Sequence, residues 1–387
     1  MKYFVLLCDG MSDHKIRELN NKTILEYANT SNFDYLAKNG QCVSIYTAPD
    51  GMYPGSDVCN LSVFGYDPKR YYTGRSPLEA ASMGIDLKDN DMSFRLNLVT
   101  LSSDYKKMED FSAYHIDNSE SSLIIDELNS YFTEGNIQFY HGLSYRNLMV
   151  VRNASLNVKT IPPHDIMGKD IESYLPSGEG SGILRGIMEK AKGILSKNLY
   201  CKANYIWPWG EGKKPNLPSY YDKFGVRGSV VAAVDLIKGI GIYTKLDIIN
   251  VPGANGFLDT NFEGKAEYAI KSLKLNDFVF LHVEAPDEAG HMGSVEEKIK
   301  AVENINNRML PIIIEGLENF GDFRLLVCPD HPTPVYIRTH VSEPVPGILY
   351  GSNIEKDENI HYDEFIRPSI TFNDGYKIAE YLIKGGI

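Results

Sequence analysis

The segment Phe278-Val-Phe-Leu-His-Val283, followed by Glu284-Ala-Pro-Asp287-Glu-Ala-Gly-His291, decides how this sequence is expected to fold. A nearly continuous apolar run leads directly into acidic and imidazole side chains. Two further runs have the same form, Tyr3 to Cys8 before Asp9 and Arg324 to Cys328 before Asp330-His331. Continuous rather than alternating apolar residues are typical of strands covered on both faces of a parallel sheet. Side chains that bind ligands collect at the carboxyl ends of such strands.

Amphipathic segments separate these runs, at Thr23 to Lys38, Ser229 to Lys238, Lys265 to Leu273 and Ser294 to Leu310. Strands that alternate with helices indicate an α/β sandwich with a mostly parallel central sheet. Further strands are predicted at Leu246 to Val251 and at Gln41 to Thr47, the second leading toward Ser56.

The stretch from 91 to 197 has short alternating segments and helical patches but no strand that ends in acidic residues. It is therefore predicted to be an inserted α+β cap domain. The predicted catalytic core consists of residues 1–90 and 198–387. The glycine-rich Pro176-Ser-Gly-Glu-Gly-Ser-Gly182 is expected to be a flexible connection.

Composition excludes several classes of function. The formal net charge is -12, and no basic stripe or polybasic cluster is present, so nucleic-acid and membrane partners are not expected. An anionic substrate would need local arginines, lysines or metal ions. The odd number of cysteines and the absence of a Cys-x-x-Cys pair predict buried thiols in a reducing cytoplasm: Cys8, Cys42, Cys59, Cys201 and Cys328. No signal-peptide pattern is present, so a cytoplasmic protein is expected.

Six residues are candidate metal ligands. Asp287 and His291 are four residues apart, so one helical turn would bring both onto one face, although the same spacing also occurs in surface pairs. Asp330 and His331 follow a predicted strand, with His340 nearby, and they add oxygen and nitrogen donors unless they only cap a loop. Together with Asp9 after the first strand, these residues predict a metal site.

Ser56 is the candidate nucleophile. It lies in Pro54-Gly-Ser-Asp57, and the apolar periodicity of Val58 to Phe64 predicts a helix that begins next to it. Backbone amides and the positive end of the helix dipole would stabilise an alkoxide or an acquired phosphate there. The alternative is a simple N-cap serine. No GxxxxGK[ST] loop occurs, and His282, inside an apolar run, is interpreted as a core or supporting residue rather than a ligand.

An ordered set of motifs resembles a known family. The motifs are Cys8-Asp-Gly-Met-Ser-Asp13, Asn32-Phe-Asp-Tyr-Leu-Ala37, Pro54-Gly-Ser-Asp57, Gly65-Tyr-Asp-Pro68, Tyr72-Thr-Gly-Arg-Ser-Pro-Leu-Glu-Ala80, Glu284 to His291, and Asp330-His-Pro-Thr-Pro334 through His340. Over nearly its whole length the chain resembles the archaeal-type cofactor-independent phosphoglycerate mutases of the alkaline-phosphatase-like superfamily. The resemblance implies a three-layer sandwich with an inserted cap that acts as a closing lid.

The resemblance also implies two divalent ions, most often Mn²⁺, with Mg²⁺ or Zn²⁺ as alternatives. Asp287, His291 and His340 would bind one ion. The other would be bound by Asp9, Ser56, Asp330 and His331. Ser56 would take phosphate from one hydroxyl of phosphoglycerate and return it to the other.

The substrate anion would be bound by arginines while the cap closes over it. Candidates are Arg75, Arg95 and Arg146, with Lys214 a weaker one, and each has the alternative role of a structural ion pair. One stretch departs from the family, because Asp110-Phe-Ser-Ala-Tyr-His115 stands where an arginine-rich Asp-Arg-Arg-Ala-Gly-Arg is usual. A related branch is proposed to phosphorylate homoserine. A homoserine kinase-like phosphotransferase, a phosphatase and a non-catalytic binding module therefore remain alternatives to the mutase.

Overall fold

A computed structural model describes residues 1–154, 156–197 and 202–385 of the chain. Its strands are β1 (Lys2–Cys8), β2 (Gln41–Ile45), β3 (Met92–Leu101), β4 (Met108–Asp110), β5 (Ile137–Leu143), β6 (Arg146–Val151), β7 (Asn157–Lys159), β8 (Ser177–Glu179), β9 (Tyr205–Lys213), β10 (Gly228–Val231), β11 (Asp247–Ile249), β12 (Phe278–Val283), β13 (Phe323–Cys328), β14 (Val345–Gly351) and β15 (Ile370–Phe372).

The α-helices are α1 (Ile24–Tyr27), α2 (Ser31–Asn39), α3 (Ser56–Val63), α4 (Pro68–Tyr71), α5 (Ser76–Ser82), α6 (Asn118–Tyr131), α7 (Ser181–Leu195), α8 (Tyr220–Phe224), α9 (Asp235–Tyr243), α10 (Phe262–Ser272), α11 (Ala285–Met292), α12 (Val295–Asn304), α13 (Leu310–Glu318) and α14 (Lys377–Lys384). A π-helical segment, Ile305–Met309, joins α12 to α13. Among the described residues, none of the helices combines the length and the apolar character needed to cross a bilayer.

The chain forms two compact units, of which the first comprises residues 1–72 and 216–387. Its sheet has the strand order β11-β10-β12-β1-β13-β14-β2-β15. The central strand β1 is parallel to both β12 and β13, and only β14 is antiparallel to its two neighbours. The mostly parallel sheet is confirmed. Because β12, β1 and β13 run in the same direction, the residues that follow them meet at one edge of the sheet.

Helices cover both faces of this sheet. Alternate residues of β1, Phe4 and Leu6, belong to a buried cluster that also contains residues of α2, α10 and α13. Val5, between them, points to the opposite face. On β12, Phe280 stacks on Phe64 at the end of α3, with ring centroids 3.8 Å apart. The predicted three-layer α/β sandwich is confirmed.

Two predicted helices differ from the structure. The segment from Ser229 to Lys238 begins as the strand β10, because its β-branched valines pair with β11 and β12 and are buried. The helix starts only at Asp235. The segment from Thr23 to Lys38 is interrupted between α1 and α2, and Thr23 and Glu26 form a capping box on α1.

The second unit comprises residues 73–215. The long strand β3 lies between β6 and β9 and is antiparallel to both, and α6 and α7 contribute to the buried cluster of this unit. The stretch from Pro176 to Gly182 is not a free connection, since β8 pairs with β7 and α7 begins at Ser181.

The boundaries of the inserted unit differ from those predicted, 91 and 197. The unit begins at Thr73 because α5 packs on β3, with the Ser76 hydroxyl donating to the Ser93 carbonyl at 2.9 Å. It extends to Pro215 because β9 pairs with β3 over most of its length. The pairing of β9 with β3 joins segments more than about a hundred residues apart, which local composition does not reveal.

Candidate metal and phosphoryl-transfer site

The candidate ligands lie at the carboxyl edge of the first unit's sheet. Asp9 directly follows β1, Asp330 and His331 follow β13, and Asp287 and His291 lie on α11, which begins just after β12. The parallel strands bring these residues together although they are far apart in the chain, and the most distant pair, Asp9 and His331, approaches to 3.6 Å. All seven residues predicted to bind the two ions, Ser56 and His340 among them, come together in two adjoining groups.

The first group contains Asp287, His291 and His340. The His291 Nε2 lies 3.3 Å from one Asp287 carboxylate oxygen, the His340 Nε2 lies 3.5 Å from the other, and the two imidazole nitrogens are 3.0 Å apart. The His291 Nδ1 is 3.0 Å from the Arg338 carbonyl, which only accepts, so this nitrogen carries the proton. In the neutral imidazole the Nε2 lone pair would therefore face the group, which is the usual arrangement of a metal-binding imidazole.

Charge stabilises this group. Burial opposes ionisation of Asp287, but hydrogen bonds from His291 and His340 hold the pKa of its carboxyl well below the usual range. The same hydrogen bond to Asp287 raises the pKa of His291 to about 9. The carboxylate therefore requires a neighbouring positive charge, which a divalent cation would also supply.

The second group surrounds Ser56. The His331 Nε2 lies 3.2 Å from the Ser56 Oγ, 3.2 Å from an Asp330 carboxylate oxygen and 3.6 Å from Asp9 Oδ1. Burial and repulsion by Asp330 and Asp287 raise the pKa of Asp9 well above its usual value. Asp9 Oδ1 is also buried without a hydrogen-bond partner.

These observations allow a test of whether the residues fit divalent ions. Asp287, His291 and His340 offer ligand atoms within 4.8 Å of one another, and so do Asp9, Asp287 and His331. Mutually repelling carboxylates, an unpartnered buried oxygen and imidazoles oriented by their second nitrogen are the features of a cation site. The donor set fits divalent metal ions.

Ser56 is the first residue of α3, with Gly55 as the N-cap. Its side chain is partly exposed, so a substrate can reach the hydroxyl. Asn60, one turn later, donates to the Ser56 carbonyl at 2.9 Å and to Asp330 at 2.7 Å. The start of the helix is thereby tied to the strand end that carries Asp330.

Sequence reasoning missed two residues that orient the candidate ligands. Asn60 is one, and its position four residues after Ser56 was the available clue. Thr333 is the other, because its hydroxyl donates to Asp287 at 2.6 Å and lies 3.2 Å from the His331 Nδ1. Thr333 thus connects the two groups, which no sequence spacing indicates.

A buried charged chain lies behind Asp9. Lys265 and Glu284 form an ion pair at 2.6 Å, Glu284 lies 3.0 Å from the His282 Nδ1, and the His282 Nε2 lies 3.0 Å from Asp9 Oδ2. Burial disfavours the charged imidazole, but Glu284 and Asp9 outweigh it and raise the pKa of His282 to about 10. Burial likewise opposes ionisation of Glu284, and Lys265 holds the pKa of its carboxyl well below the usual range.

In the second unit, the three candidate arginines share one neighbourhood. Arg75 and Arg95 both bind Glu79, at 3.0 and 2.9 Å. Burial and the charges of Arg75 and Arg146 lower the pKa of Arg95 to about 10 against the opposing effect of Glu79. The charges of Arg75, Arg95 and Arg146 thus lie close enough to act on one another, which makes an arginine cluster in a protein of net charge -12.

The remaining residues predicted for the substrate have other contacts. Lys214 lies 3.8 Å from Asp86. The departing segment from Asp110 to His115 forms a tight turn in which Ala113, Tyr114 and His115 all have positive φ. Phe111 and His115 lie against the ring of Tyr145, and Arg146 stacks over the same ring. The altered segment therefore borders the arginine cluster.

Four of the five cysteines lie in the described part of the chain, and all four are buried free thiols: Cys8, Cys42, Cys59 and Cys328. Burial raises the pKa of each. Cys201, also predicted to be a buried thiol, lies outside the described residues.

Comparisons with known proteins identify relatives over the whole chain. Residues 37–200 match the family model described as 2,3-bisphosphoglycerate-independent phosphoglycerate mutase. A probable enzyme of that name from Geobacter sulfurreducens is 44% identical, over 99% of this chain and 100% of the relative. One from Methanothermobacter thermautotrophicus is 46% identical, over 94% of this chain and 92% of the relative. The solved cofactor-independent phosphoglycerate mutase of Thermoplasma acidophilum has the same fold, with a TM-score of 0.70 and 24% identity over 100% of both chains.

Proposed function

The chain belongs to the 2,3-bisphosphoglycerate-independent phosphoglycerate mutase family, and we propose that it interconverts 2- and 3-phosphoglycerate through a phosphorylated Ser56. One observation carries the role of Ser56. Its partly exposed hydroxyl begins α3 and lies 3.2 Å from His331, in a group that also contains Asp9 and Asp330. A nucleophile so placed can reach a bound phosphate and return it.

The proposed reaction consists of two transfers. Ser56 Oγ loses its proton and forms a bond to phosphorus, while the bond from phosphorus to one glycerate oxygen breaks and that oxygen takes up a proton. The glycerate then turns within the site, and its other hydroxyl attacks phosphoserine in the reverse sense. Backbone amides at the start of α3 favour the negative charge that Ser56 carries in both steps. The balance requires no water and no second phosphate donor.

We propose that this site binds two divalent ions, with Mn²⁺ as the first candidate. Asp287, His291 and His340 would bind one, and Asp9, Ser56, Asp330 and His331 the other. Such ions would lower the pKa of the serine hydroxyl and neutralise charge on the phosphoryl group. Carboxylate and imidazole donors suit Mn²⁺, and they also suit Zn²⁺. The mutual repulsion of the carboxylates around Asp9 supports this assignment.

We also propose that Arg75, Arg95 and Arg146 bind the anionic groups of the substrate. Their support is that the three guanidinium groups share one neighbourhood, in which Arg75 and Arg95 both bind Glu79 and the charges of Arg75 and Arg146 act on Arg95. Guanidinium groups bind carboxylate and phosphate with two parallel hydrogen bonds, which orients a small anion. Lys214, paired with Asp86, lacks such support.

The alternative reactions are less well supported. A homoserine kinase-like phosphotransferase was suggested by the segment from Asp110 to His115 and by the stretches Tyr71 to Pro77 and Pro162 to Asp165, whereas relatives named as mutases match at 44 to 46% identity. A phosphatase would need water at phosphoserine, and no contact of the described residues favours that. A metabolic mutase of this kind would act in the cytoplasm.

The decisive experiment compares the wild type with Ser56→Ala and Ser62→Ala. Ser62 lies on the same helix and serves as a matched control for loss of a hydroxyl. Each protein is given Mn²⁺ and 3-phosphoglycerate without bisphosphoglycerate, and 2-phosphoglycerate is measured by coupling to enolase. The wild type and Ser62→Ala should form product and Ser56→Ala should form none.

Trapped intermediate gives an independent test. Rapid quenching followed by peptide mass spectrometry should find phosphate on Ser56 in the wild type. Product formation by Ser56→Ala would refute the proposed nucleophile. Phosphoserine without 2-phosphoglycerate, but with transfer to homoserine or to water, would instead establish one of the alternative reactions.

A further inference from the structure

The buried chain Lys265–Glu284–His282 ends on one oxygen of Asp9. The His282 Nε2 lies 3.0 Å from Asp9 Oδ2, whereas the His331 Nε2 lies 3.6 Å from Asp9 Oδ1. The two oxygens of one carboxylate thus have different environments. Oδ2 forms an ion pair with the His282 imidazole, whose Nε2 is buried and makes no hydrogen bond, and Oδ1 is buried without a hydrogen bond on the side that His331 faces.

Lys265, Glu284 and His282 are also fixed by hydrogen bonds to the backbone. Lys265 is fully buried on α10, and besides Glu284 it donates to the His282 carbonyl at 3.2 Å. Glu284 also accepts from the amides of Ala233 and Val234, at 3.1 and 3.3 Å, just before α9. His282 is therefore fixed both through its ring and through its backbone.

Such a chain is costly to bury. Four ionisable side chains that are almost completely buried lose their hydration, and apolar residues of similar volume would often be at least as stable. A buried ionic chain that is well hydrogen-bonded does, however, restrict the conformations of its members. Its benefit here is expected in the geometry of Asp9 rather than in the free energy of unfolding.

We propose that His282 is a positioning residue for the ion on the Ser56 side: it holds Asp9 Oδ2, so that the carboxylate presents only Oδ1 to the ion. Lys265 and Glu284 keep the imidazole in place. This inference rests on the proposed assignment of Asp9 as a ligand. It assigns no contact between His282 and the ion, in keeping with outer residues that orient a ligand.

Two substitutions of His282 separate its two contacts. In His282→Gln the side-chain amide can occupy the place of Nε2 and still donate to Asp9. In His282→Asn the amide reaches only the place of Nδ1 and the contact with Asp9 is lost. Arg324→Met is the matched control, since Arg324 is a buried cation at the opposite end of the same sheet, bound to the Leu382 carbonyl.

Mn²⁺ binding to the folded protein is measured without substrate, from the decrease of the electron paramagnetic resonance signal of free Mn²⁺. Each variant is also titrated in a His291→Ala background, which weakens the other ion and isolates the one near Ser56. Loss of an outer-shell partner lowers metal affinity by about 10- to 100-fold. His282→Asn should therefore bind the ion near Ser56 at least about tenfold more weakly, with the second ion unaffected.

His282→Gln should recover most of that affinity, and Arg324→Met should lower stability while leaving both affinities unchanged. Wild-type affinity in His282→Asn would overturn the proposal, and so would equal weakening of both ions, which indicates general loosening. If His282→Asn bound one Mn²⁺ ion fewer than the wild type, the proposal would also be overturned, because His282 would then be a direct ligand. Because binding is measured without substrate, failure of the mutase assay would leave this result interpretable.

Discussion

Gly10 offers the sharpest test of the site geometry. It follows Asp9 with φ of +60°, and a β-carbon built on it would lie 2.5 Å from Asp287 Oδ1 and 2.7 Å from the Asp287 Cα. The second contact is with backbone, so rotation of a side chain does not relieve it. Gly10→Ala therefore adds a left-handed alanine and a steric clash between the two groups of candidate ligands.

The expected cost can be worked from these contacts. A non-glycine residue in the left-handed region costs about 1–2 kcal/mol, and overpacking of a dense interior costs about 1–3 kcal/mol more. Gly225 is the matched control, because it has φ of +74° in the same unit with no atom within 4 Å of its β-carbon. Gly225→Ala should show only the first cost.

Urea unfolding of the metal-free proteins measures both effects. Gly10→Ala should be less stable than Gly225→Ala by about 1–3 kcal/mol. Since Asp287 must move, Gly10→Ala should also bind Mn²⁺ more weakly than Gly225→Ala. Equal unfolding midpoints together with wild-type Mn²⁺ affinity in Gly10→Ala would refute the described packing of Asp287 against Gly10.

Three further predictions concern other parts of the molecule. Glu79→Gln should destabilise the inserted unit at pH 7. Burial opposes ionisation of Glu79, but Arg95 and Arg75 hold the pKa of its carboxyl below the usual 4.5. The stability that the wild type gains from this carboxylate is therefore fully present above pH 4.5 and is lost as the pH falls through the folded pKa, which urea unfolding midpoints measured across pH will show. Lys298→Met should lower the free energy of unfolding in urea by about 3–5 kcal/mol, because it leaves the Asp13 carboxylate buried without the ammonium that now lies 2.8 Å away. Adding Asp13→Asn to the same protein should restore part of that stability. An unchanged free energy of unfolding in Lys298→Met would contradict the buried ion pair. Iodoacetamide at pH 8 should leave the thiols of Cys8, Cys42, Cys59 and Cys328 unmodified until the protein is unfolded, since burial raises the pKa of each. Peptide mass spectrometry that found any of these four cysteines alkylated in the folded protein would contradict their burial.

Local pattern was sufficient for the elements that form the edge of the site. The run Phe278 to Val283 is the strand β12, and the four-residue spacing of Asp287 and His291 places both on α11. Each of these features depends on residues close together in the chain, so periodicity alone reveals it. Ser56 was likewise placed at the start of a helix by its Pro-Gly turn and the apolar residues that follow.

Local pattern failed where distant partners decide the conformation. The segment from Ser229 to Lys238 has amphipathic spacing, but pairing with β11 and β12 makes its first residues, up to Val231, part of a strand. The limits of the inserted unit were placed too far inward for the same reason, because β9 belongs with β3 through a pairing across more than a hundred residues. Such pairing energy depends on neighbours that composition does not identify.

The sequence by itself determined the α/β class, the order of the strands that carry acidic residues, and the residue types that face the site. Only the tertiary structure decided that Asp9 divides its two oxygens between His282 and the Ser56 side, and that Arg75 and Arg95 share Glu79. The physical reason is the different distance along the chain over which these effects act. Periodicity and capping act over a few residues, whereas the distance between two charged groups is set by packing of the whole unit, and electrostatic interactions depend directly on that distance.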